Sequence, residues 1–267
     1  MKTYYRVLTI AGSDSGGGAG IQADLKTFSA LGCYGMSVIT ALTAQNTAAV
    51  TGIFPVTQEF IAQQMDAVMT DIGADAVKIG MLHSPEVIAV VAEKLAQYKA
   101  RNIVVDPVMV SKGGARLLQE DAASALKAKL IPLADIITPN LPEASVLLGR
   151  PVEKEEDMEK ACRDLAALGP RAVLLKGGHL PGRASPDLLF AEGKFHRLEG
   201  TRTQTRNTHG TGCTLSSAIA AGLAKGLDIA AAAEAAKEYI SAALEAGAAY
   251  SLGKGHGPVQ HFYAFWK

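Results

Sequence analysis

The chain has 267 residues, 48% of them hydrophobic and only 19% charged, a balance that supplies a large core and excludes a disordered chain. Its 26 basic residues are matched by 26 acidic ones, so the net charge is zero and the basic footprint of a nucleic-acid-binding protein is missing. Cys33, Cys162 and Cys213 lie far apart with no C-x-x-C pair, which argues against a disulfide framework and a zinc site.

From the start of the chain, the apolar run Val7 to Ala11 stops at Gly12, too short for a signal-peptide core, and the expected location is the cytoplasm. Short β-branched runs then alternate with stretches of helical period. Tyr5-Ala11, Ser37-Leu42, Gly52-Val56, Ala76-Gly80, Ile103-Asp106, Asp135-Thr138 and Ala172-Lys176 read as strands. Between them a helix spans Ile21-Leu31, Thr57 caps a run to about Ile72, Ser84-Pro85-Glu86 opens another helix, and Asp121 starts a further one. This rhythm predicts a mostly parallel sheet covered by helices on both faces. Asp187-Ala191 and Phe195-Leu198 flank Glu192-Gly193-Lys194 and predict an antiparallel hairpin at the sheet edge. Helices around Cys213-Leu227 and Ile229-Gly247 follow. The most apolar stretch, Asp228 to Ala249, is interrupted by Glu234, Lys237, Glu238 and Glu245, so no segment reaches the ~20 apolar residues of a membrane span. No repeat or linker divides the chain, and a single domain over 1–267 is expected.

Ligands of open α/β sheets bind beyond the carboxyl ends of the strands, and the residues there are rich in turn formers and polar groups. They include Gly12 to Gly20, Asp106-Pro107-Val108-Met109, Thr138 to Glu143 and Lys176-Gly177-Gly178-His179. Neither G-x-G-x-x-G nor G-x-x-x-x-G-K-[ST] occurs, so the glycines at 16 to 20 form neither a dinucleotide fingerprint nor a Walker loop. They read either as a ligand loop or as a flexible turn, and they share with Gly113-Gly114 the glycine density of a moving lid. Asp24, one turn into the next helix, reads equally as a polar site group or as a solvated helix residue.

The sharpest signal is Asn207-Thr208-His209-Gly210-Thr211-Gly212-Cys213-Thr214, followed at once by an apolar helix of small residues. Glycines leave amides uncovered at a helix N-terminus, where the dipole favours an anion such as a transferring phosphoryl group. The same position lowers a thiol pKa, so Cys213 is expected to be partly thiolate at neutral pH and able to accept a proton; the bland alternative is a small buried cysteine filling a helix start. Asp106 and Glu143 are candidate oxygen partners for magnesium or its waters, although an acid at a helix first turn is favoured by the dipole alone. Lys176 ends an otherwise apolar strand, where a cation suits a nucleotide phosphate. Gln45 and Asn46 offer amides that donate and accept, or form an ordinary turn. His83, His196, His256 and His261 read as surface or packing residues, and His209 as shaping the anion loop.

Together these segments resemble the ribokinase-like kinases, and within them the hydroxymethylpyrimidine and phosphomethylpyrimidine kinases of thiamine biosynthesis. The resemblance covers essentially the whole chain. It is carried by Ile10-Ala11-Gly12-Ser13-Asp14, Gly17 to Asp24, Lys78-Ile79-Gly80-Met81-Leu82, Ile137 to Ala144, Lys176 to His179 and Asn207 to Thr214, with cysteine at position 213 where wider ribokinase relatives have aspartate. It implies a three-layer α/β/α sandwich, Mg2+ and ATP, and a pyrimidine alcohol whose hydroxymethyl group is phosphorylated and whose monophosphate is converted to the diphosphate. Carried over by residue, Gln45 resembles the pyrimidine-binding side chain, with Gly12, Met81 and Val108 beside it. Gly210, Thr211 and Gly212 resemble the anion hole and Cys213 the catalytic base. Asn140, Lys176 and Thr208 fall on the ATP side, and Asp106 and Glu143 on the magnesium side. A homo-oligomer, a dimer first, is implied as well. Pyridoxal kinase is the alternative on the same fold; a silent regulatory protein and a cysteine hydrolase are alternatives from other classes.

Overall fold

The computed structural model describes residues 2–109 and 121–266; Gly113 and Gly114 lie outside the described residues. In chain order the elements are β1 (Arg6–Ala11), α1 (Gly20–Ala30), β2 (Tyr34–Ile39), β3 (Ala41–Gln45), β4 (Val50–Pro55), α2 (Gln58–Asp71), β5 (Ala76–Ile79), α3 (Pro85–Gln97) and β6 (Ile103–Val105). After the undescribed segment come α4 (Ala122–Ala125), β7 (Ile136–Ile137), α5 (Leu141–Leu148), α6 (Met158–Ala166), β8 (Ala172–Lys176), β9 (Asp187–Ala191), β10 (Lys194–Leu198), α7 (Thr211–Ala224) and α8 (Ile229–Gly247). The expected caps form: Thr57 accepts from the Phe60 amide, and Ser84 from the Val87 amide. Asp121 precedes α4 without a side-chain cap.

One sheet runs in the order β10-β9-β8-β7-β6-β5-β1-β2. Its pairings are parallel from β2 through to β8, and β9 and β10 add the antiparallel edge hairpin that the sequence predicts. Strands sandwiched between layers must be apolar on both faces. In β8, Val173 and Leu175 pack into one core with residues of α3, α5 and α6, while Ala172 and Leu174 pack into the other with α7 and α8. That is the three-layer sandwich.

Two expected strands are corrected. Ser37-Leu42 is not one strand but crosses a break at Thr40, whose amide donates to Ala11 and whose hydroxyl donates to the Met81 carbonyl at 2.8 Å. Beyond that break β3 and β4 form a separate two-stranded antiparallel sheet, so Gly52-Val56 belongs to a hairpin and not to the parallel sheet. The hairpin projects Gln45, at its bulge, toward the carboxyl ends of the main strands. The strand order reverses at β1, which lies between β2 and β5, and such a switch point opens a crevice beyond the strand ends. No helix among the described residues is long and apolar enough to cross a membrane.

Candidate active site

A cavity of about 950 Å³ occupies that crevice, and every site residue expected from the sequence lines it. Gly12, Gln45, Met81, Val108, Asn140, Glu143, Lys176, Thr208 and Gly210 to Cys213 all line it, with Gly12 against the Met81 side chain and Gly212 facing Lys176 and Asp106.

The floor is built by two loops that need glycine for contact. Gly210, at φ +77°, caps α7, and a Cβ there would stand 1.8 Å from the Gly18 carbonyl oxygen. Gly20, at φ +55°, would carry a Cβ 2.4 Å from the Gly12 oxygen. The backbones therefore approach too closely for any side chain. No side chain caps α7; the Thr211 amide reaches back to the Thr208 carbonyl at 3.4 Å, which leaves the next amides of the first turn to the cavity as an anion site.

The glycine loop carries an anchor that its composition does not show. It is wound around Asp14, whose buried carboxylate accepts the amides of Gly16 at 2.8 Å, Gly18 at 3.0 Å and Ala19 at 2.8 Å. The Asp14 carboxylate also lies 2.8 Å from His209 Nε2. Burial would raise the Asp14 carboxyl, but the His209 ring and these amides hold it below the ordinary carboxylate range. Asp14 sat unassigned in the motif, although an aspartate followed by glycine amides two and four residues on is an Asx-type signal.

At the cavity wall lies a buried ion pair that sequence reasoning missed. Lys78 Nζ sits 2.9 Å from both carboxylate oxygens of Asp24, and both side chains are fully buried. Asp24 also accepts hydroxyls from Thr9 at 2.6 Å and from Ser217 of α7 at 2.7 Å. It is thus no solvated helix residue. A lysine in an otherwise apolar strand was the available signal, the same one that marked Lys176.

Cys213 lies beside this pair, and its thiol is pushed up to about 11. Burial is the main cause; Lys78 lowers it, while Asp24 and Asp106 raise it. Desolvation of the half-buried sulfur and the nearby carboxylates thus oppose the helix terminus, and a thiol at about 11 is protonated at neutral pH in the free protein.

Lys176 Nζ pairs with Asp106 at 2.9 Å and approaches Glu143 at 3.9 Å. Asp106 further accepts the Thr138 hydroxyl at 3.0 Å. Glu143 and Asn140 complete a reciprocal capping box at the start of α5, each side chain accepting the other's amide. Burial first, then Asp106, pushes the Glu143 carboxyl up to about 7 in spite of Lys176. Two buried carboxylates thus share one ammonium. That negative surplus fits a hard divalent cation, and no group of three or more potential ligands gathers among the described residues, so such an ion would keep most of its waters.

Of the remaining expectations, Asn46 forms a turn, its carboxamide accepting the Ala48 amide at 2.8 Å. His261 is a packing residue whose Nε2 lies 3.0 Å from the Thr214 hydroxyl. The C-terminal segment braces the anion loop: His209 donates its amide to the Gly257 carbonyl at 3.0 Å, and Asn207 donates to Gly247 and Tyr250. No local signal announces that contact, which joins positions far apart in the chain. The cavity also runs on past Asp187, Arg202 and Lys237, with Ile240 and Leu244 of α8 supplying an apolar wall.

The profile of the phosphomethylpyrimidine kinase family matches residues 14–260. Over 97% of its length the chain is 56% identical to the thiamine biosynthesis bifunctional protein ThiED of Geobacter sulfurreducens, of which it spans only 52%. It is 53% identical to the hydroxymethylpyrimidine/phosphomethylpyrimidine kinase of Rhizobium meliloti, with 97% of this chain and 98% of that one covered. Among solved structures it superposes on an ADP complex of Bacillus subtilis pyridoxal kinase with a TM-score of 0.91 and 40% identity, covering 98% and 99% of the two chains. The chain belongs to the phosphomethylpyrimidine kinase family.

Proposed function

We propose that this member of the phosphomethylpyrimidine kinase family transfers a phosphoryl group from ATP to the hydroxymethyl group of 4-amino-5-hydroxymethyl-2-methylpyrimidine, and then to the resulting monophosphate, as a step of thiamine biosynthesis. The observation that carries the proposal is the uncovered start of α7, which meets a lysine-carboxylate cluster on one side and an amide-bearing pocket on the other within one cavity. Phosphoryl transfer asks a protein chiefly for alignment and for neutralised charge, and these elements supply both.

The ring of the acceptor lies between Gln45, Met81, Val108 and Gly12, with its hydroxymethyl group toward Cys213. ATP lies along Asn140, Lys176 and Thr208, its transferring phosphoryl over the amides of Gly210, Thr211 and Gly212. Cys213 takes the hydroxyl proton. A thiol at about 11 in the free protein must first lose its proton, so the thiolate fraction and with it the rate should rise with pH as the thiolate takes the hydroxyl proton while the bond to phosphorus forms. Asp106 and Glu143 would hold Mg2+, which would supply charge neutralisation on the phosphate oxygens. The site occupies one domain over 1–267, and the chain assembles as a homodimer, supported by apolar side chains left exposed on the β3–β4 hairpin, Phe54 at 70% among them.

The likeness to pyridoxal kinases favours pyridoxal as the second reading. A mixture of the aminopyrimidine alcohol and pyridoxal at equal concentration, with limiting Mg-ATP, separates them. The aminopyrimidine monophosphate should predominate; predominance of pyridoxal phosphate would replace the first reading with the second.

A further inference from the structure

His209 packs against Gly18 and lies where the glycine loop, the anion loop and the acceptor pocket meet. Its Nε2 stands 2.8 Å from Asp14 Oδ2 and 3.4 Å from Gln45 Nε2. The Asp14 carboxylate is ionised and already accepts three amides, so it has nothing to donate. Nε2 of His209 must therefore carry the hydrogen and give it to Asp14, in the neutral and the protonated ring alike. An Nε2–H facing the NH2 of Gln45 sets donor against donor.

The other end of the same amide has the complementary problem. Gln45 Oε1 lies 3.3 Å from Thr43 Oγ1, but the single hydroxyl hydrogen of Thr43 is committed to the Ser13 carbonyl at 2.7 Å. That leaves oxygen facing oxygen. A half-turn about the last side-chain bond of Gln45 resolves both contacts at once, since the amide nitrogen then donates to Thr43 and the amide oxygen accepts from His209.

We infer that His209, itself oriented by Asp14, is a positioning residue that holds the Gln45 amide in this turned orientation. The chain of donors then runs from Gln45 through Thr43 to Ser13, while the one Nε2–H of His209, directed to Asp14 at 2.8 Å, is shared with the turned Gln45 oxygen as the longer arm of a three-centre hydrogen bond. Gln45 keeps one N–H and one lone pair for a ligand, in a fixed order. A pocket with a freely turning amide would accept a ring bearing either an amino or an oxo group, whereas a fixed one discriminates. The inference rests on the acceptor reading of Gln45 above, and it assigns the amino-against-oxo choice to His209 and Thr43.

Two experiments test it. In the ligand-free, 15N-labelled protein the side-chain NH2 of Gln45 should show nuclear Overhauser contacts to Thr43 and none to the ring protons of His209; the reverse pattern overturns the inference whatever the activity. In steady-state assays of the full chain with 4-amino-5-hydroxymethyl-2-methylpyrimidine and its 4-oxo analogue, His209→Leu should lower the amino-to-oxo ratio of kcat/KM about tenfold, the factor carried by one well-placed hydrogen bond. The loss should fall on the acceptor KM, with the ATP KM within about twofold, and His209→Gln, which restores a donor, should recover most of it. A folded His209→Leu protein with an unchanged ratio overturns the inference. Should that variant not fold, Thr43→Val is read in the same way, and an unchanged ratio there overturns it equally. Wild-type protein that phosphorylates neither alcohol fails the functional reading, and the Overhauser pattern then still decides the orientation.

Discussion

Replacing Glu143 by glutamine should stabilise the ligand-free protein while weakening its response to magnesium. Glu143 and Asp106 share the single ammonium of Lys176 in a buried cluster, and Glu143→Gln leaves one carboxylate matched to one lysine. The capping box survives, because a glutamine oxygen can still accept the Asn140 amide that Glu143 accepts at 2.8 Å. Holding this carboxyl at about 7 in place of its ordinary 4.5 disfavours the ionised folded form by roughly 3 kcal/mol, an upper bound since Lys176 and water relax around it. The sign follows from proton binding. Below pH 4.5 the group is protonated in folded and unfolded chains alike, and no penalty exists. Between 4.5 and about 7 the unfolded chain releases its proton first, so the fold loses stability as pH rises, and above about 7 the loss is complete. Urea unfolding of both proteins at pH 5 and pH 8 should therefore show a gain for Glu143→Gln that is small at pH 5 and on the order of 1–3 kcal/mol at pH 8. Half-saturating magnesium should rise several-fold at fixed ATP, with the acceptor KM nearly unchanged. A variant that is less stable than wild type at pH 8, or that responds to magnesium as wild type does, would refute the reasoning and leave Glu143 as a favourable first-turn acid.

Cys213→Ala should fold normally and lose about 10²- to 10⁴-fold in kcat, with acceptor binding little changed; wild-type turnover would remove the thiol from the mechanism. In the free protein, iodoacetamide should react with Cys213 at a rate that climbs about tenfold per pH unit from pH 7 to 10, as a thiol at about 11 requires, and a plateau below pH 8 would contradict that placement. Lys78→Met should strand the buried Asp24 carboxylate and cost about 3–5 kcal/mol, read as a fall in Tm; an unchanged Tm would show that Thr9 and Ser217 suffice to hold Asp24. Gln45→Met should harm kcat/KM for the aminopyrimidine more than for pyridoxal, and equal losses would remove Gln45 from acceptor recognition.

Apolar runs such as Ile103-Val104-Val105 and Val173-Leu174-Leu175 betrayed buried strands because both sheet faces demand the same chemistry, and the anion loop showed itself through glycines placed just ahead of a helix. What stayed hidden depends on partners remote in the chain. The break at Thr40 is made by Ala11 and Met81, and nothing within Ser37-Leu42 hints at it. The charge state of Cys213 is hard to read for the same reason, since the helix terminus is local but the desolvation and the Asp24 and Asp106 carboxylates around it are not. The glycine loop looked loose from its composition, whereas one aspartate at its head ties three of its amides and a histidine 195 residues away.

The central claim is that this cavity moves a phosphoryl group from ATP to the hydroxymethyl oxygen of an aminopyrimidine. Phosphorus-31 NMR of the protein with Mg-ATP and 4-amino-5-hydroxymethyl-2-methylpyrimidine tests it directly. The account predicts ADP and a pyrimidine phosphomonoester appearing in equal amounts, followed by the diphosphate as the monoester accumulates. ADP formed together with free inorganic phosphate while the alcohol stays unmodified would contradict it.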